Sequence, residues 1–151
     1  MRAVIALGAN MDDPETCIEI ALKLLEESTE LIAQSSLHQS KAVGGPPQPD
    51  YINAVCIVES DLPAQELLNL LHGIEKSMGR VRPIKWGPRT IDCDLISYGD
   101  LEIASETLSL PHPRAHERRF VLEPWLEIDL EANLPGFGRV SDILAQLPPA
   151  E

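Results

Sequence analysis

Two aspartates, Asp92 and Asp94, stand one residue apart inside "KWGPRTIDCDLI", residues 85 to 96. Side chains alternate along an extended strand, so these carboxylates share one face, while Ile91, Cys93 and Leu95 share the other and face a core. At roughly 3.3 Å of rise per residue the two acids lie ~7 Å apart. Like charges so placed repel, and keeping both ionised is costly unless a cation lies between them. Few, hard oxygen donors suit Mg2+, an ion that keeps several waters and shares phosphate oxygens. Two such ions held between carboxylates would clamp a phosphoryl group during transfer. A solvent-facing strand with two solubilising aspartates is the plain alternative, and a lone D-x-D does not exclude it.

The neighbouring cations favour phosphate chemistry. The chain has 12 Lys and Arg against 24 Asp and Glu, a formal charge of −12. Seven of the twelve nevertheless gather in two short stretches: Arg80, Arg82, Lys85 and Arg89, then Arg114, Arg118 and Arg119. Guanidinium forks bind phosphate oxygens bidentately and stay charged at any physiological pH. Carboxylates for a metal beside such cations make a phosphoryl-transfer site. His112, between two prolines in "LPHPRAHERRF", reads either as a surface hinge or as a donor to a phosphate oxygen. His38 and His116 read as structural. Trp86 either stacks on a base or covers its own loop. Tyr51 and Asn53 follow a proline-rich loop, and the Asn53 amide either reads a flat heterocycle through paired hydrogen bonds or finishes a turn. No Walker-type phosphate loop and no protein-kinase motif set occurs.

The elements that must position these residues follow from periodicity. Residues 2–8 ("RAVIALG") form a first strand ending at a Gly. A helix follows from Asp13, as N-cap, and Pro14 in the first turn, with Ile18, Ala21, Leu22 and Leu25 on one face. Residues 30–40 form a second strand, and "KAVGGPPQPDY" (41–51) is a proline-stiffened loop. A third strand spans 52–60. A second helix spans 62–79, burying Leu67, Leu68, Leu71, Ile74 and Met78. A charged loop over 80–89 leads into a fourth strand, 90–99, and a last short helix covers 140–147. This β-α-β-β-α-β order predicts an α+β, ferredoxin-like core, an antiparallel sheet with helices packed on one face.

Composition bounds the rest. At 151 residues and 44% hydrophobic content, the chain suits a single domain, 1–151, with one sizeable core. The longest apolar runs fall far short of the ~20 residues a membrane helix needs, and the first residues make no signal peptide; a cytoplasmic protein is expected. Cys17, Cys56 and Cys93 form no C-x-x-C pair and read as buried small hydrophobes. The acidic balance argues against nucleic acid and against an anionic membrane surface.

Together, "KWGPRTIDCDLI", "IALGAN", "GGPPQPDYINAV", "IEKSMGRVR" and "LPHPRAHERRFVLEPWLEI" resemble the 6-hydroxymethyl-7,8-dihydropterin pyrophosphokinases over nearly the whole chain. The resemblance implies a monomeric, Mg-dependent diphosphotransferase of folate biosynthesis, with ATP and 6-hydroxymethyl-7,8-dihydropterin as substrates and two Mg2+ ions. It puts both ions on Asp92 and Asp94, and catalytic arginines at Arg80, Arg82 and Arg89. The nucleotide side gains Trp86, His112, Arg118, Glu75 and His72, the last standing where Gln is common. The pterin side gains Ser40, Val43, Tyr51, Asn53, Asp92 and Phe120, with Tyr51 and Phe120 on opposite faces of the ring. Two further readings compete with catalysis on the pterin: a ferredoxin-like module that senses a nucleotide, and a metal-dependent phosphohydrolase. Release of AMP with and without the pterin separates all three.

Overall fold

A computed structural model of the chain describes residues 1–11, 13–41, 48–78 and 91–148. Their elements run β1 (Arg2–Ala9), α1 (Pro14–Glu26), β2 (Glu30–Gln34), β3 (His38–Ser40), β4 (Tyr51–Glu59), α2 (Ala64–Met78) and β5 (Asp92–Tyr98). There follow a short hairpin, β6 (Ile103–Ala104) with β7 (Ser109–Leu110), and α3 (Arg119–Ile128). A second hairpin, β8 (Asn133–Leu134) with β9 (Gly138–Arg139), leads to α4 (Val140–Gln146). The main sheet is antiparallel in the order β2-β4-β1-β5, with β3 also paired to β4. That is the ferredoxin-like α+β arrangement expected from the element order.

Strand composition follows position in the sheet. The central strands β1 and β4 are buried almost throughout and read as continuous apolar runs, because both of their faces are covered. Edge strand β2 alternates half-buried and exposed residues. On one face Ile5, Leu7, Cys56 and Cys93 pack with Ile18, Ala21, Leu22 and Leu25 of α1 and with Leu67, Leu71 and Ile74 of α2. On the other, Val4, Ala6, Val55, Ile57 and Ile96 pack beneath Val121, Leu122 and Trp125 of α3 and Val140 of α4. The C-terminal third thus adds a second covering layer that the element order alone did not foretell.

Three local features depart from the periodic reading. The expected strand 30–40 is interrupted at Ser35, whose amide donates to the Val55 carbonyl (2.8 Å) while its hydroxyl accepts the Val55 amide (2.9 Å). The side chain there does the work of a backbone partner, so the chain bends before pairing again as β3. Asp13 does precede α1, with Pro14 at the first turn, but its backbone is left-handed (φ 59°). A capping side chain needs extended backbone, so the carboxylate instead accepts the Thr16 hydroxyl at 2.9 Å. In β5 the register against β1 slips between Ile5 and Val4. The extra residue, Ile96, stays on the α3 face with Asp92 and Asp94, and the slip turns Tyr98 to the opposite face. There the phenol donates to the carbonyls of Leu62 (2.6 Å) and Ser60 (3.1 Å).

All three cysteines are buried and unpaired by disulfides. Burial pushes the Cys56 thiol up to about 12, and burial together with the carboxylates of Glu75, Asp94 and Asp92 raises Cys93 well above its ordinary value. Both pack as small hydrophobes, as read from the sequence. Among the described residues no helix is long and apolar enough to cross a membrane.

Candidate active site

The α3 layer covers Val4, Ala6, Val55, Ile57 and Ile96 but stops short of the end of the sheet. Register places Gly8 of β1 opposite Asn53 of β4 on one side and Asp92 of β5 on the other. Ala6 likewise lies opposite Asp94. Strand alternation therefore brings Asn53, Gly8, Asp92 and Asp94 onto one patch of uncovered sheet. The two aspartates are half-buried and alternate with buried Ile91, Cys93 and Leu95, as their spacing requires.

Over this patch opens a cavity of about 360 Å3. Asp92, Asp94, Asn53, Tyr51 and Ser40 line it from the sheet, and His112, Arg118 and Phe120 line it from the segment entering α3. Gly8 is its floor: a Cβ there would sit 3.2 Å from Asn53 Oδ1 and 3.7 Å from the Tyr51 ring. Asn53 Nδ2 donates to Ser40 Oγ at 2.7 Å, which fixes the amide plane and turns Oδ1 toward the space above Gly8. Asn10, 2% exposed, donates to Gln48 Oε1 (2.7 Å) and the Pro49 carbonyl (3.1 Å), holding the segment that brings Gln48 to the cavity rim.

A second cavity of about 350 Å3 lies beyond the same aspartates. Its walls are His72 and Glu75 of α2, Thr107 and Ser109 beside the first hairpin, and again Asp92, Asp94 and His112. The Glu75 carboxylate accepts the Cys93 amide at 2.8 Å, between the two aspartates.

The charges around this shared wall are ordered. Arg118 reaches Asp94 Oδ2 at 3.8 Å, and its guanidinium lies 5.5 Å from the centre of the Phe120 ring. A stacked guanidinium loses little freedom when it meets an anion. His112 is tied by its amide to the Ile96 carbonyl (2.8 Å), and its Nδ1 accepts the Arg114 amide (3.2 Å). The proton of the neutral ring is thereby assigned to Nε2. Burial lowers the affinity of this ring for a second proton; Asp94 opposes the shift, and Arg118 and Arg114 add to it.

Of the residues singled out from sequence, Asp92, Asp94, Ser40, Tyr51, Asn53, His112, Arg118 and Phe120 converge on the first cavity, and His72 and Glu75 on the second. Val43, Arg80, Arg82, Trp86 and Arg89 lie outside the described residues. Arg119 is not aimed at the site: it donates to the carbonyls of Leu147 (3.1 Å) and Pro148 (2.9 Å), closing the end of α4. His38 bonds Glu127 (2.7 Å) and His116 stacks on Phe137 (4.4 Å), and both are structural as read. The sequence reading passed over Gly8 and Gln48. A glycine in an apolar run signals close approach of something to the backbone, which was the available clue to Gly8.

Comparison with known proteins bears on the family and the fold. Residues 4–130 match the family model described as 7,8-dihydro-6-hydroxymethylpterin-pyrophosphokinase. The 2-amino-4-hydroxy-6-hydroxymethyldihydropteridine pyrophosphokinase of Haemophilus influenzae is 40% identical over 148 residues, covering 97% of this chain and 92% of that protein. Its counterpart from Pseudomonas aeruginosa is 35% identical over 149 residues, with the same coverage. The Plasmodium falciparum HPPK-DHPS structure superposes with a TM-score of 0.74 at 13% identity, over 96% of this chain and 40% of that one. A crystal structure of HPPK-DHPS in complex with substrates gives 0.77 at 12% identity, over 95% and 42%. The chain thus spans about two-fifths of those solved chains, and the likeness bears on fold alone. Family match, full-length relatives and a carboxylate pair at the end of a ferredoxin-like sheet agree, and the chain belongs to the 7,8-dihydro-6-hydroxymethylpterin-pyrophosphokinase family.

Proposed function

We propose that this pyrophosphokinase of folate biosynthesis moves the pyrophosphoryl group of ATP onto the hydroxymethyl oxygen of 6-hydroxymethyl-7,8-dihydropterin, releasing AMP. It does so as a single domain, as a monomer and in the cytoplasm. One observation carries the reading: Asp92, Asp94 and His112 border both cavities. One cavity offers an oriented amide between aromatic rings, as a flat heterocycle requires; the other lies against α2. A transfer between two substrates needs them to meet across fixed charges, and a shared wall provides that.

Each side chain then has a task. Asn53 Oδ1 accepts a ring N–H of the pterin, held in place by Ser40, while Tyr51 and Phe120 flank the ring. Val43 adds a backbone contact there. His112 donates its Nε2 proton to a phosphate oxygen without adding charge. Arg118, oriented by Phe120 and Asp94, offsets charge that develops on the transferring group. His72 and Glu75 line the nucleotide side. Arg80, Arg82, Trp86 and Arg89 complete it by resemblance, closing over ATP and excluding water, since hydrolysis competes with transfer.

An ATP-using enzyme of this family is consistent with divalent-metal use, and the donor set fits one. Asp92 and Asp94 are hard oxygen donors, and among the described residues no three His, Cys, Asp or Glu side chains group to hold a metal. Two protein carboxylates suit Mg2+, which fills its remaining positions with water and phosphate oxygens, and we assign two ions to the pair. When bound, such ions would neutralise charge on the triphosphate and help to orient it for transfer.

Measuring AMP from ATP and Mg2+ tests the proposal. AMP is expected only when the pterin is added, in equal amount to the pterin diphosphate. Full-speed AMP without pterin makes the protein a phosphohydrolase, and no AMP in either case leaves a nucleotide-binding module.

A further inference from the structure

Strand β5 carries both aspartates yet is, among the described residues, the end of the main sheet, paired within it to β1. An end strand leaves a row of backbone groups outside the ladder, and a buried amide there must find another partner or destabilise the fold. Contacts outside the β1 ladder help to hold this strand's backbone. The Ile96 carbonyl accepts the His112 amide at 2.8 Å, and the Cys93 amide donates to Glu75 Oε2, also at 2.8 Å. Cys93 is 2% exposed, so water does not readily replace the carboxylate.

From this geometry we infer that Glu75 is a positioning residue, which fixes the place of the segment carrying Asp92 and Asp94 by gripping the amide between them. Its helix is a rigid support, because Leu71 and Ile74, in the turn that leads to Glu75, are buried in the first core. A carboxylate accepts an amide more strongly than a neutral oxygen does, which suits a strand that must not slide. The hydrogen bond of Glu75 ties its carboxylate to the strand itself, at the amide between the two aspartates. The inference rests on the metal-holding role proposed for the aspartates.

Two substitutions separate position from charge. Glu75→Gln keeps an acceptor oxygen at the same reach and removes the charge. Glu75→Asp keeps the charge and withdraws the oxygen by one methylene. Amide hydrogen exchange of Cys93, followed by NMR in the ligand-free protein, reads the grip directly. The Mg2+ concentration for half-maximal AMP release reads its consequence. Glu75→Gln weakens the acceptor without withdrawing it and is expected to exchange Cys93 a few-fold faster than the parent, whereas Glu75→Asp exchanges it at least about tenfold faster, the scale of one lost charged hydrogen bond. Its Mg2+ requirement rises several-fold. The opposite order, Gln impaired and Asp normal, assigns Glu75 a purely electrostatic role and overturns the inference, as does normal behaviour of both. Should the parent fail to make AMP with pterin, the functional reading falls while the exchange result still reports on the grip.

Discussion

Gly8 and Asp94 show how single residues build the site. Gly8 lies between Asn53 and Asp92 on neighbouring strands, so its missing side chain leaves the gap into which a flat ring descends. A methyl group there would press Asn53 Oδ1 at 3.2 Å, and the amide would have to give way. Gly8→Ala is therefore expected to raise the pterin KM by about tenfold, the cost of one methylene in a pocket. The KM for ATP should stay close to that of the parent. Thermal stability should change little, because alanine restricts the unfolded chain more than glycine does and this offsets the shift of the Asn53 amide. Equal effects on both KM values would show that Gly8 shapes the sheet and not the slot. Asp94 faces both cavities and meets Arg118. Asp94→Ala should lower AMP release by at least about a thousandfold, more than one lost donor in a preorganised site, while leaving the circular dichroism spectrum unchanged.

The pairing of Asp92 with Asp94 was legible at the level of elements because a polar–apolar period of two has one structural solution when one face is buried. The break at Ser35 was not, since a hydroxyl that substitutes for a backbone partner leaves no trace in hydrophobicity. Helix α3 was also hidden. Val121, Leu122 and Trp125 have helical spacing, but Pro124 stands among them, and proline argues against a helix unless the chain has other support. Some of that support is the contact of Glu127 with the bend after β2. Its carboxylate accepts the Ser36 amide (2.7 Å), the Ser36 hydroxyl (2.8 Å) and His38 Nε2 (2.7 Å). These bonds, His38 first, lower the Glu127 pKa from 4.5 to about 2. A depressed carboxylate stabilises the fold above its unfolded value and loses that contribution as pH falls through the folded one. The window is thus between about pH 4.5 and about pH 2. Both partners are about a third exposed, and screening holds the contribution below about 1 kcal/mol. In urea titrations the parent should lose stability more steeply than Glu127→Gln across that window; parallel curves would mean that the bend is held by other contacts.

At the scale of the whole molecule, the site is where one of two coverings runs out. The sheet has a core on each face, and among the described residues α1, which helps close the first, lines neither of the two cavities at the aspartates, whereas α3 closes the second and carries Arg118 and Phe120 at its entry. The element order disclosed the first core, whose helices lie between strands. The second depends on a C-terminal segment of two-residue strands, a helix α3 interrupted in pattern by Pro124, and α4, of which α4 alone was read from the sequence. This asymmetry separates stability from binding. Leu25 of α1 and Leu122 of α3 are both fully buried, one on each face. Cutting either to alanine removes the same atoms and should cost about 2–5 kcal/mol of unfolding free energy. Leu25→Ala should leave the pterin KM within about twofold, since the lost contacts lie across the sheet from the cavity and distant effects add independently. Leu122→Ala loosens the first turn of α3, and with it the Arg118 and Phe120 side of the slot, so its pterin KM should rise several-fold at equal loss of stability. Denaturation curves paired with KM measurements decide the matter. If both variants bind pterin equally well, the position of the cavity at the edge of the α3 layer has no bearing on how tightly it holds its substrate.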